Sequence, residues 1–177
     1  MSLAVDIQIA SARWSPEAPA TVRRAIAAAA SCHRLGAARR EVSVVLTDDA
    51  SMRALNQKWR GIDEPTNVLS FPGQVSAQPA ATRSQTGAKT GASVPRDPAR
   101  LPVLLGDIVI AYETTQGEAA DAGKPFAHHL AHLAVHGFLH LLGYDHDSDP
   151  EAEDMEHLET EILAHLGVPD PYLTRAR

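Results

Sequence analysis

The sequence predicts an α+β fold, a small mixed four-stranded sheet covered by helices, on three observations. Strand-like and helix-like periodicities follow one another in the order β-α-β-α-β-β-α-α-α. One strand-like segment, Leu104 to Tyr112, is apolar on both faces apart from Asp107, as expected of a strand inside a sheet. A chain of 177 residues, 44% hydrophobic and 21% charged, suits a single domain over residues 1–177 with a core of ordinary size.

Leu3, Val5, Ile7 and Ile9 alternate with Ala4, Asp6 and Gln8, the period-2 pattern of a half-buried strand. Ser15-Pro16-Glu17 supplies an N-cap, a proline at the first helical position and an acid in the first turn, before an alanine-rich helix that runs to about Leu35 and stops at Gly36. Val42 to Leu46 is a short β-branched strand. Asp48 or Asp49 then caps a helix with Met52, Leu55 and Trp59 on one face. Asn67 to Phe71 reads as the third strand, ended by Pro72-Gly73. Residues 73–101 are dominated by Ala, Gly, Pro, Ser, Thr and Gln, a composition that cannot bury a core, and a disordered insertion is expected there. Arg83, Lys89, Arg96 and Arg100 make it basic, and an inert insertion is preferred to an arm reaching a substrate. After the fourth strand, Glu113 to about Gly123 is a helix, and Pro125 starts a long one that carries most of the histidines. Asp149-Pro150-Glu151 caps a last helix with Met155, Leu158, Ile162 and Leu166 facing inward and Gly167 at its end.

The N-terminus shows no basic region followed by an apolar stretch, and no apolar run is long enough to span a bilayer, so neither an export signal nor a membrane span is expected. Cys32 is alone, which excludes an intrachain disulfide and points to the cytoplasm; it reads as a buried small hydrophobe. The net charge of −6 disfavours an anionic partner only on average. Residues 1–72 carry net +2, residues 73–105 net +3 and residues 106–177 net −11, so charge does not decide the partner.

The chemistry is concentrated in His136-Gly137-Phe138-Leu139-His140-Leu141-Leu142-Gly143-Tyr144-Asp145-His146. His136 and His140 sit four apart on a helix, with Cβ atoms roughly 5–6 Å apart, so two ring nitrogens reach one ion at about 2 Å each. A third ligand at His132 is disfavoured, because a straight row of three spans about 12 Å along the axis. Gly143 instead ends the helix in a left-handed conformation and lets the chain return His146 to the pair. Three imidazoles and no nearby cysteine leave a position for water, the arrangement of a catalytic zinc site. His128, His129 and His132 lack obvious partners and read as surface histidines, as do His33, His157 and His165. Asp107 reads as structurally satisfied, and Asp147 as a turn or capping residue. Asp145, beside the third ligand, is a candidate to orient a ligand imidazole from behind. Tyr144 either stacks on a base or packs on the core.

The spacing His136-x-x-x-His140-x-x-Gly143-x-x-His146 matches the metzincin protease signature except that Gly137 stands where those enzymes carry their general base, which argues against a peptidase. Taken with Trp59-Arg60-Gly61, Pro65-Thr66-Asn67-Val68-Leu69-Ser70-Phe71-Pro72 and Leu105-Gly106-Asp107-Ile108-Val109-Ile110, the histidine run closely resembles the YbeY family of bacterial endoribonucleases over most of residues 42–166. The resemblance implies one zinc ion on His136, His140 and His146, an active-site arginine at Arg60, and cleavage of single-stranded RNA in 16S rRNA 3′ maturation and ribosome quality control. Small ribosomal subunits and assembly factors are the implied partners, and Arg60 and His136 the implied catalytic residues. Arg60 and Tyr144 are the candidate substrate contacts. A ribosome-assembly adaptor with a mainly structural zinc site, or a generic metallohydrolase, are the competing readings. The family pattern usually has Asp where this chain has Asn67, an exchange that keeps hydrogen bonding but cannot pair with a cation.

Overall fold

The computed structural model describes residues 3–33, 35, 38–73, 102–146 and 148–173. The insertion expected at 73–101 lies outside the described residues except for Gly73, and so do Gly36 and Asp147. In chain order the elements are β1 (Leu3–Ile9), α1 (Ala18–Cys32), β2 (Arg40–Thr47), α2 (Asp49–Arg60), β3 (Val68–Pro72), β4 (Val103–Ala111), α3 (Tyr112–Asp121), α4 (Phe126–Leu141) and α5 (Asp149–His165). The strands form one mixed sheet in the order β1-β2-β4-β3, so the two-faced apolar strand is internal, as its pattern requires. β1, β2 and β4 run parallel, and β3 pairs antiparallel with β4 from Val68↔Ile110 to Pro72↔Gly106.

The period-2 alternation assigns side chains to two layers. Val42, Val44, Leu46, Leu105, Ile108 and Ile110 join the main core with α1, α4 and α5. The intervening Val45, Leu69, Val109 and Ala111 pack beneath Met52 and Leu55 of α2 on the opposite side. Helix α4 is the most enclosed helix: Leu130, Val135, Phe138 and Leu139 are almost wholly buried. It lies against β3 and β4, and Gly137 makes that approach tight, since a Cβ there would stand 2.9 Å from Ile108 Cγ2 and 3.1 Å from Ser70 Oγ. Ser70 Oγ in turn donates to the Gly137 carbonyl at 3.1 Å.

Not every expectation holds. Cys32 is exposed rather than buried, with its Sγ 4.0 Å from His165 Nδ1; it is the last residue of α1 and lies past the core. Asp107 is exposed on the sheet face that α2 leaves uncovered and needs no buried partner. The inward face expected of α5 holds: Met155 and Ile162 are buried together with Glu159 and Leu163, and Leu158 and, just past the helix, Leu166 are half-buried against the main core. Among the described residues, no helix is long and apolar enough to cross a membrane.

Candidate metal centre

The helix that carries the site ends in a backbone motif that explains where its third histidine goes. Gly143 has φ 92°, a value that costs a residue with a Cβ but not glycine. The Gly143 N–H donates to the His140 carbonyl at 3.0 Å and the Tyr144 N–H to the Leu139 carbonyl at 3.1 Å, which satisfies the last carbonyls of α4 and reverses the chain. The reversal brings the His146 ring to 5.1 Å from that of His140 and 5.7 Å from that of His136, centroid to centroid. One ring nitrogen from each of His136, His140 and His146 then lies within 4.8 Å of the others.

The nitrogens of His136 and His140 fit a shared ion. Their Nε2 atoms are 3.1 Å apart, close to the spacing of about 3.3 Å that two nitrogens keep around a tetrahedral ion at 2.0–2.1 Å. Glu159, fully buried on α5, accepts from His136 Nδ1 at 2.7 Å and from His132 Nε2 at 2.9 Å, and the Tyr172 hydroxyl donates to it as well. Burial alone pushes the Glu159 carboxyl up, but the hydrogen bonds from His132 and His136, the His132 charge and the Tyr172 hydroxyl hold it down at about 2. An ionised carboxylate only accepts, so His136 carries a proton on Nδ1, which leaves Nε2, on the side of His140, as the ring nitrogen available to an ion. On His140, burial and then the neighbouring His136 and His146 rings lower the pKa, against weaker opposite effects from the Tyr144 backbone and Asp145. Its ring is therefore neutral at pH 7, the form that ligates a metal.

His132, His136 and Glu159 also form a group whose ligand atoms lie within 4.8 Å of one another. Both Glu159 oxygens already receive N–H donors at hydrogen-bonding distance, so this group works better as support behind the three-histidine site than as an ion site of its own. His132 and His129, read from the sequence as unpartnered, are thus corrected. His132 pairs with Glu159, and His129 Nε2 meets Glu118 Oε2 at 2.7 Å. Both Glu118 oxygens also accept from Asn67 Nδ2, at 3.0 and 3.1 Å, so the amide at 67 satisfies a carboxylate that an aspartate would repel.

The three histidines line an open cleft together with Trp59, Arg60, Asn67, Ser70, Phe71, Tyr144 and Asp145. Arg60, the last residue of α2, is exposed there. Asp145 accepts from the backbone N–H of His146 at 2.9 Å, a contact that shapes the loop holding the third ring. Tyr144 is half-buried against the core, and its hydroxyl lies 3.2 Å from His33 Nε2. Gly137 faces the sheet rather than the cleft, so the position where a metzincin places its base points away from the site.

Glu159 was not singled out from the sequence. The signal was present: Met155, Glu159 and Ile162 at spacings of four and three put a carboxylate in the middle of an apolar helix face, and a buried carboxylate must find donors.

A family model described as Endoribonuclease YbeY matches residues 6–167. An Endoribonuclease YbeY from Bradyrhizobium sp. (strain BTAi1) is 53% identical over 174 residues, which cover 97% of this chain and 94% of the relative. One from Rhodopseudomonas palustris (strain BisA53) is 53% identical over 176 residues, covering 98% and 92%. The solution structure of TM1509 from Thermotoga maritima superposes with a TM-score of 0.51 at 21% identity, over 92% of this chain and 91% of that one, which shows a shared fold.

Proposed function

Because the chain belongs to the YbeY family of endoribonucleases, we propose that it is a zinc-dependent, single-strand-directed endoribonuclease acting in 16S rRNA 3′ maturation and ribosome quality control in the cytoplasm. The observation that carries the reading is the convergence of three imidazoles and an arginine on one cleft. His136, His140 and His146 hold the ion, within a single domain. A zinc ion held there would supply Lewis-acid chemistry, making a water molecule far more acidic and offsetting negative charge on phosphoryl oxygens.

The chain's own residues do the rest. Glu159 fixes the His136 ring and keeps its Nε2 lone pair free. Arg60 presents a planar fork that matches two phosphate oxygens and stabilises the charge that grows on them as the phosphodiester is cleaved. Asp145 steadies the loop that carries His146, and Tyr144 closes one wall of the cleft. Nothing in this set requires a carboxylate at position 137. The small ribosomal subunit and its assembly factors are the proposed partners.

The test is cleavage of single-stranded and duplex RNA by highly purified wild type, His140→Ala and Arg60→Ala, with bound metal measured for each. Loss of both metal and cleavage in His140→Ala, and loss of cleavage with metal retained in Arg60→Ala, is expected. Full cleavage by metal-free protein would end the reading. A chelator that lowers the melting temperature yet leaves ribosome association intact, with no cleavage by any form, would favour the assembly adaptor instead.

A further inference from the structure

The chain has two tryptophans, and they do opposite things. Trp14 is core: 5% exposed, its indole N–H donates to the Thr47 carbonyl at 2.8 Å, and Tyr112 and Phe126 pack around it. Trp59 is 61% exposed. The sequence places it on the inward stripe of α2, seven residues after Met52 and four after Leu55. Met52 is buried, yet the stripe runs past the covered part of the sheet, and Trp59 emerges at the rim of the histidine cleft, where Arg60 follows it. Gly61, with φ 74°, ends the helix at that point.

The ring is held rather than loose. Phe71 of β3 meets it at 5.8 Å with planes tilted by 58°, and Lys58 Nζ stands 5.2 Å from its centroid. An aromatic surface of this size is costly to leave in water, and here it lies beside cations, in a cleft also lined by Thr66, Asn67 and Ser70. A protein-docking anchor sits in an apolar surround. A platform for a nucleic-acid strand combines a flat ring with neighbouring positive charge.

We propose that Trp59 is a stacking platform for one unpaired nucleobase of the RNA strand, one step along the backbone from the phosphate held by Arg60. The inference rests on the RNA-cleavage reading and deepens it. A base inside a duplex has both faces covered by its neighbours and cannot be offered to the ring, so the platform supplies a physical basis for single-strand preference. Stacking is tolerant of base identity, so the site selects strandedness rather than sequence.

The experiment uses the full chain loaded with zinc and a single-stranded RNA oligonucleotide, with Trp59→Ala and Trp59→Phe. Trp59→Ala is expected to raise KM about tenfold with a much smaller change in kcat, and Trp59→Phe to recover most of the loss. An abasic nucleotide at one position should weaken wild-type binding and leave Trp59→Ala indifferent. Because Trp14 is enclosed, quenching of intrinsic fluorescence by RNA reads Trp59 directly, and the same quench with a single-stranded DNA oligonucleotide, checked to be intact afterwards, reads it without turnover. Cleavage by wild type with no quench and an unchanged KM in Trp59→Ala would overturn the platform and leave the nuclease standing. A quench with no turnover in any form would keep the platform and overturn the nuclease. If Trp59→Ala changed only the capture of a protein partner, with RNA affinity untouched, the platform would fall to a protein contact.

Discussion

Glu159 offers a sharp test of how the site is held. Three donors converge on its carboxylate: His132 Nε2 at 2.9 Å, His136 Nδ1 at 2.7 Å and the Tyr172 hydroxyl. Glu159→Gln keeps the shape but offers one acceptor oxygen and an amide that is itself a donor. At least one of the three donors then faces N–H, and a charge-assisted hydrogen bond of roughly 1.5–3 kcal/mol is lost. The cheapest relief is for His136 to move its proton to Nε2, the atom that faces His140. Its lone pair then points at the amide instead of at an ion. Loss of such a carboxylate behind a ligand imidazole typically costs about 10–100-fold in metal affinity, or about 1.4–2.8 kcal/mol, which agrees with the hydrogen-bond figure. The assay is zinc titration against a competing chromophoric chelator, with Glu118→Gln as control, because Glu118 touches His129 and Asn67 but no proposed ligand. A folded Glu159→Gln with zinc affinity within twofold of wild type would refute the tautomer argument.

Gly137→Ala forces a methyl against Ile108 Cγ2 and Ser70 Oγ at 2.9 and 3.1 Å, and should lower stability by about 1–3 kcal/mol; an unchanged denaturation midpoint would show that α4 has room to move. Asn67→Asp sets a carboxylate beside Glu118, at present 3.0 Å from the amide. Glu118 is 40% exposed, so solvent screening limits the loss to about 1 kcal/mol at neutral pH, and the loss should shrink in acid as one of the two protonates. For the metal-free protein, stability should fall in two stages on acidification. His129 and His140 are lowered from 6.5, chiefly by burial, so the unfolded chain takes up their protons first and stability declines below about pH 6.5. Glu159, at about 2 against 4.5, gives its full contribution above pH 4.5 and loses it as pH falls from there towards 2. Urea midpoints at intervals from pH 8 to pH 3 check both stages, and a flat profile from pH 6.5 to 5 would contradict the first.

The parts of this protein legible in its sequence are those governed by neighbours along the chain. Alternation in Leu3 to Ile9 and Val42 to Leu46, the two-faced apolar run of β4, the spacing of four between His136 and His140, and a glycine placed to reverse the backbone at 143 are local properties, and each resolves without knowing what lies across the fold. The sheet's mixed character and the internal place of β4 follow from the same patterns.

What the tertiary structure alone decided are the encounters between distant segments. Glu159 meets His136 across 23 positions, and Asn67 meets Glu118 across 51, because helices pack against one another and against a sheet edge, which no periodicity encodes. Trp59 shares its helix stripe with Met52, yet one is buried and the other is not, since exposure depends on where the sheet stops beneath α2. Gly137 looks like a missing catalytic base in sequence; in space it is the contact that lets α4 lie close on β3 and β4. Local periodicity fixes which face of an element is apolar, whereas the neighbour that face meets is set by packing over the whole chain.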